Sequence, residues 1–305
     1  MASLQSIRRR IKSVKNIQQI TKAMKMVSAA RLRRAQQAAI ANRPYAKKMA
    51  EIVENVAAHV GDFKHPLLER HPEGKEMFLI IASDKGLAGA YASNVFKEAV
   101  AHIPHKDAVD LITVGRKTEE HFRNRAYHIV KHYIGISEKP TFETARAIAA
   151  EITALYQSGT YSVVHIVYTR FISAIHSVPE MFQLLPFEGL TGREAPAAEE
   201  DPFAEDAVTE NDADEDTMEA SDYIFEPNAP EVMGYLLPQY LVTMIYAAQL
   251  QAAASELSSR MTAMSNATDN AAELNKKLDL QYNKVRQANI TREISEIVGG
   301  AEALK

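Results

Sequence analysis

The sequence contains no cysteine. That excludes disulfides, thiolate chemistry and any zinc or iron–sulfur site that needs a sulfur ligand. It has no uninterrupted apolar run long enough to cross a bilayer as a helix. The opening stretch MASLQSIRRRIKSVKNIQQI has basic residues but no continuous apolar segment behind them, so it is not a secretory signal. A basic, amphipathic start is also what an organellar transit peptide has; the unbroken helical pattern favours a mature structural element. Acid is missing from residues 1–50, which hold thirteen Lys or Arg; the first carboxylate is Glu51. Base is missing from residues 194–222, which hold thirteen Asp or Glu. The formal net charge of -4 hides this separation, which says more about partners than the average does. What remains is ordinary: 305 residues, 46% hydrophobic and 24% charged, enough for a globular core and for two domains.

The first segment, residues 1–60, reads as one long helix from about Leu4 to Val60. Ile7, Ile11, Val14, Ile17, Ile20, Met24, Val27, Leu32 and Ala35 recur at steps of mostly three or four and define one stripe. Ser3 suits an N-cap, Gly61 a stop, and Pro44 a kink or division. At 1.5 Å per residue the helix extends roughly 80 Å, so something beyond one small domain has to cover its stripe. Residues 75–189 change character. Strands are predicted at Met77–Ser83, Asp110–Gly115, Tyr161–Phe171 and Phe182–Phe187, with helices at Tyr91–His102, Arg116–Asn124 and Phe142–Tyr156. That alternation predicts a layered α/β domain whose strand order the sequence leaves open. Residues 190–222 are acidic and poor in large apolar groups, which predicts an exposed insertion.

A second long helix is predicted over residues 230–298, with Pro238 as a flaw near its start and Gly299-Gly300 as its end. Leu257, Met261, Met264, Thr268, Ala271, Asn275, Leu278, Tyr282, Val285 and Asn289 keep a heptad rhythm, with Leu274 and Gln281 beside it. The two terminal helices most economically bury their stripes against each other as an antiparallel pair. Pairing between two copies would satisfy the same periodicity.

No catalytic constellation emerges. SDKGLAGAY (Ser83–Tyr91) follows a strand and sets Lys85 beside glycines, but lacks both the GxxxxGK[ST] and the GxGxxG spacing, so it reads as a turn with Asp84 and Lys85 available for docking. There is no HExxH and no GxSxG. His165 reads as a packed core residue; His121, His128 and His132 are too loosely placed to argue for a metal. The basic N-terminal helix is the strongest functional signal. Nucleic acid, an anionic membrane and an acidic protein surface are all candidates, and the acidic protein fits best because helix pairing consumes the apolar face.

Several segments in order resemble the gamma-subunit family of F-type ATP synthases: IRRRIKSVKNIQQITKAMKMVSAARLRRAQ, SDKGLAGAYASNV, RMTAMSNATDNA and the terminal QYNKVRQANITREISEIVGGA. The resemblance implies an α/β fold with long terminal helices, an antiparallel coiled-coil shaft plus a Rossmann-like central α/β domain. It implies a non-catalytic central-stalk rotor that carries torque between the membrane c-ring and the alpha3beta3 ring. Alpha, beta, epsilon and c-ring subunits are the expected partners, with delta in the same complex. No nucleic acid, no membrane span, no metal and no cofactor are expected on this chain itself. ATP, ADP and Mg are expected on the alpha and beta subunits. The absence of an organellar leader points to a bacterial enzyme, on the cytoplasmic face of the cell membrane. Carried onto this sequence, the partner contacts fall at Lys12, Lys22, Met24, Lys25, Arg33, Arg34 and Lys85. In the last helix they fall at Arg260, Thr268, Asp269, Asn270, Arg286, Thr291, Glu293 and Glu296. The acidic linker around Arg193–Asp222 is longer and more acidic than the family leads one to expect.

Overall fold

In the computed structural model, residues 4–60, 64–187 and 225–303 are described. The acidic insertion, Ser3 and Gly61 lie outside them. Helix α1 spans Leu4–Val60 and helix α5 spans Ala229–Ala303. Between them come β1 (Lys75–Ile81), α2 (Tyr91–His102), β2 (Val109–Val114), α3 (Arg116–Arg123), β3 (Ile129–Tyr133), α4 (Phe142–Gln157), β4 (Tyr161–Phe171) and β5 (Ser177–Leu185). The chain divides into two compact units: residues 1–28 with 260–305, and residues 29–259.

In the first unit, contacts fix the direction of the helix pair. The Arg8 guanidinium donates to the Tyr282 hydroxyl at 2.8 Å, Asn275 donates to the Gln18 amide oxygen at 3.3 Å, the Thr21 and Thr268 hydroxyls meet at 2.8 Å, and Lys25 donates to Ser265 at 2.9 Å. One number rises while the other falls, so the helices are antiparallel. Burial follows the heptad on α5 through Met264, Ala271, Asn275 and Leu278. On α1 the buried line runs through Ile7, Thr21 and Ser28. Ile17, Ile20 and Val27 were expected on that stripe but are 51%, 59% and 51% exposed. They lie on a second apolar face, and spacing alone does not say which of two apolar faces the chain covers for itself.

The seam is unusually polar for a helix pair. Asn, Thr and Ser at core positions bury little apolar area but fix register, because a slip would strand their hydrogen bonds. From residue 290 to residue 301 every residue of α5 is exposed, including Ile290, Ile294, Ile297 and Val298. Gly299 and Gly300 do not end the helix, which continues to Ala303. Glycine permits a left-handed cap without imposing one, at roughly 1 kcal/mol each against alanine.

The second unit is layered. The sheet order is β3-β2-β1-β4-β5, parallel except for the antiparallel β5. Central β1 is apolar on both faces, as a parallel strand covered by helices has to be. Met77, Leu79 and Ile81 pack with Ile148 and Ile152 of α4 and Leu241, Ile245 and Ala248 of α5. Phe78 and Ile80 point the other way, into a cluster with Val95 and Phe96 of α2 and Phe122 of α3. β3 has no counterpart among the expected strands, and β5 begins five residues earlier than expected.

Neither proline breaks its helix. Pro44 sits on an exposed side of α1, where the carbonyl it leaves unbonded need not be buried. Pro238 is flanked by Leu237 and Leu241, both fully buried, so tertiary packing offsets a cost of about 3 kcal/mol.

Candidate partner-contact surfaces and a cationic cleft

On the helix pair, Lys12, Lys22, Lys25, Asp269, Asn270, Arg286, Thr291, Glu293 and Glu296 are exposed, while Met24 and Thr268 are half-buried. Thr268 is engaged inside the chain with Thr21 and with the Met264 carbonyl at 2.7 Å. Arg260 departs from the expectation of a surface contact, being only 5% exposed. It lies between Leu257 and Met264, which are buried as well. The exposed Ile17, Ile20 and Val27 were assigned to the seam from sequence and join the outward surface instead.

In the layered unit, Arg33, Arg34 and Lys85 are exposed. Lys85 pairs with Glu138 at 3.2 Å, and Arg31 pairs with the same carboxylate. Leu87, in the same turn, is 63% exposed and holds φ 63°. A branched residue in left-handed backbone costs steric strain, and here its side chain gains no packing in return. Sequence reasoning passed it over, because nothing in GLAG announces a positive φ at the leucine.

Asp84 explains the turn. Its carboxylate accepts from the backbone N–H of Arg116 at 3.0 Å, Gly135 at 2.8 Å and Ser137 at 3.0 Å. Those donors come from the loops after β2 and β3, so one side chain ties together three strand ends. Burial pushes the Asp84 carboxyl up, but the Gly135, Ser137 and Arg116 donors together outweigh it and hold it below the usual carboxylate range. Gly115 is required beside it: φ is 100°, and a Cβ would stand 2.5 Å from the Ala82 carbonyl oxygen. Asp84 is therefore a resident anion on backbone donors near the start of α3, where a phosphate-binding fold would leave them open.

Around it opens a cleft of about 630 Å³ at the carboxyl ends of β1, β2 and β3, walled by Ala35, Ala38, Pro140 and Leu250 and rimmed by charged side chains. The amino ends of the strands carry a second carboxylate staple. Asp110 binds His128 at 2.8 Å, the Tyr161 hydroxyl at 2.9 Å and Lys75 at 3.4 Å. Burial pushes the Asp110 carboxyl up, yet its hydrogen bonds from His128 and Tyr161 leave it low. Burial and that carboxylate push the Tyr161 phenol far up.

His165 packs against Phe78 with ring centroids 4.9 Å apart, and burial first, then His102, lowers its pKa. His128 and His132 sit instead beside Asp110 and Glu119. Among the described residues no three His, Asp or Glu converge on a metal position, and no helix is long and apolar enough to cross a membrane.

Comparison with known proteins agrees along the whole chain. The pattern of the family described as ATP synthase matches residues 3–304. The ATP synthase gamma chain of Pelotomaculum thermopropionicum is 42% identical over 306 residues, with 100% of each chain covered. The "ATP synthase gamma chain, sodium ion specific" of Acetobacterium woodii is 40% identical over 307 residues, covering 99% of each. The fold is similar to a chain of the Euglena gracilis mitochondrial ATP synthase rotor, with a TM-score of 0.63 at 18% identity, covering 94% of this chain and 98% of that one. With an antiparallel helix pair, a parallel sheet ending in one antiparallel strand, and full-length identity of this order, the chain belongs to the ATP synthase gamma-chain family.

Proposed function

We infer that this chain is the central-stalk rotor subunit of an F1Fo ATP synthase. It transmits torque between the membrane c-ring and the alpha3beta3 ring, and so couples proton flow to ATP synthesis or hydrolysis. The observation that carries the reading is the end of α5. Residues 290–301 are exposed on all sides, with Ile290, Ile294, Ile297 and Val298 in water. By the observed register, Leu4 stands opposite about residue 286, so α5 outruns the described part of α1 by roughly 25 Å. A helix end without a covering partner in its own chain is marginal alone and is stabilised by a surrounding protein.

The asymmetric surface of the pair supplies the mechanism. One chain turning among three alike partners presents each with a different face, and differential affinity for partner states is the coupling free energy. Lys12, Lys22, Lys25, Arg33 and Arg34 meet acidic beta-subunit surfaces at long range without demanding one locked geometry. Arg286, Asp269, Asn270, Thr291, Glu293 and Glu296 offer hydrogen bonds that exchange as the shaft turns, with Met24 as a neutral contact among them.

The chain is non-catalytic: nucleotide chemistry, with ATP, ADP and Mg, belongs to the alpha and beta subunits. Epsilon and the c-ring join it, with delta in the same complex, on the cytoplasmic face of a bacterial cell membrane.

The test is ATP-driven proton pumping by complexes assembled with and without this chain, with ATPase activity and subunit composition measured in parallel. Pumping restored by one copy per alpha/beta hexamer is the expected result. Normal assembly and pumping without the chain would overturn the reading.

A further inference from the structure

The cationic cleft has more positive charge than its own carboxylates use. Arg31, Arg34, Lys85, Arg116 and Lys139 line it against Asp84 and Glu138. Asp84 is committed to three backbone N–H donors, and Glu138 lies between Arg31 and Lys85. Arg34, Arg116 and Lys139 are exposed at the rim, and their side chains make no ion pair with any described residue. Three cations held on three elements, α1, the start of α3 and the β3–α4 loop, repel one another unless an anion joins them.

Position and shape add to the charge. The cleft stands outside the carboxyl ends of parallel strands, where open α/β sheets take their ligands. Its volume of about 630 Å³ suits a small molecule rather than a lone ion. The wall of Ala35, Ala38, Pro140 and Leu250 is apolar, and three of its four side chains are small.

We propose that this cleft binds a phosphate-bearing small molecule with an apolar or ring portion, the chemical class of the nucleoside di- and triphosphates. The phosphates sit at Arg34, Arg116 and Lys139, where guanidinium forks bind phosphate oxygens two at a time. The ring lies against Ala35, Ala38 and Leu250. The phosphates do not enter the backbone nest, because the Asp84 carboxylate fills it. Binding is noncovalent, with no chemical step. The proposal shares Arg34 with the torque-transmitting surface and otherwise rests on the cleft, so its test uses the chain free of partners and the Arg116 and Lys139 variants.

The experiment is calorimetric titration of the purified full-length chain, free of every partner subunit, with ATP and with inorganic pyrophosphate. Saturable binding of both probes at one site is expected, with ATP the tighter. Arg116→Glu and Lys139→Glu each weaken both probes at least about tenfold. Ala38→Leu weakens ATP while leaving pyrophosphate unchanged, because it fills the apolar wall only. The melting temperatures of the two charge reversals stay at the wild-type value, since both side chains are exposed. If either reversal melts early, the other carries the test. Three results would overturn the proposal: no saturable binding of either probe, binding untouched by both reversals, or a glutamate-rich peptide that displaces ATP and binds more tightly. The last would make the cleft a protein-docking site.

Discussion

The two units are built on opposite rules. The layered unit buries Phe78, Leu79, Ile80, Leu111, Phe122, Ile148 and Tyr168 completely and sets the Asp84 and Asp110 carboxylates on named donors. The helix pair hides only a thin line of side chains, interrupted by Thr21, Ser28 and Asn275. Burial at about 25 cal/mol per Å² makes the layered unit the source of stability. The helix pair exchanges apolar area for a fixed register and leaves its outer faces exposed. Stability and contact have thus been assigned to different stretches of the same two helices.

The largest effect that would break this contrast is expected in the layered core. Phe78→Ala should cost about 3–5 kcal/mol, measured by denaturant unfolding of the full chain. A loss under about 1 kcal/mol would mean that the sheet is not the stabilising layer. Next comes Asp84→Asn, which weakens three charge-assisted bonds and should cost about 1–3 kcal/mol near neutral pH. The pH dependence has a definite sign. Asp84 is depressed on folding, so its contribution is present above the ordinary carboxylate range and is lost as pH falls through the lower folded value. The gap between wild type and Asp84→Asn should therefore shrink on acidification; a gap that widens would refute the assignment.

On the helix pair the expected signs differ. Asn275→Leu should raise local stability by about 1 kcal/mol, read as slower amide exchange in α5, while lowering the fidelity of register. Destabilisation there would show that the polar seam is more than a register device. Lys25→Glu on the pair, and Arg34→Glu on the part of α1 that belongs to the layered unit, should shift the melting free energy by less than about 0.5 kcal/mol yet lower the protons pumped per ATP hydrolysed in the assembled complex. Unchanged coupling would remove both residues from the partner surface. Gly299→Ala should add helix at the end of α5, by roughly 1 kcal/mol or less, visible by circular dichroism.

The sequence revealed the elements better than their faces. α2 and β4 run over the residues expected from their apolar pattern, because each is bounded by clear breaks. β3 escaped because IVKHY is short, carries Lys131 and His132, and lies at a sheet edge where little is buried. Ile17, Ile20 and Val27 were misassigned because apolarity looks the same whether it faces a neighbour in the chain or a separate protein. Lys85 and Arg34 stood out in sequence, while Arg116 and Lys139 did not. Their convergence depends on β1, β2 and β3 being adjacent in the sheet, and strand order is not written in local periodicity.

The pairing of α1 with α5 also carries a cost in time. The bonds that close the helix pair join residues 240 to 274 positions apart. At a synthesis rate of about 5–20 residues per second, the first helix leaves the ribosome tens of seconds before its mate exists. During that interval a strongly apolar stripe would invite association between nascent chains. Thirteen positive charges with no acid before Glu51, and a seam interrupted by hydroxyls and amides, make the waiting helix self-repelling and soluble. The composition that keeps the finished pair from packing more tightly also lets its first half wait unpaired.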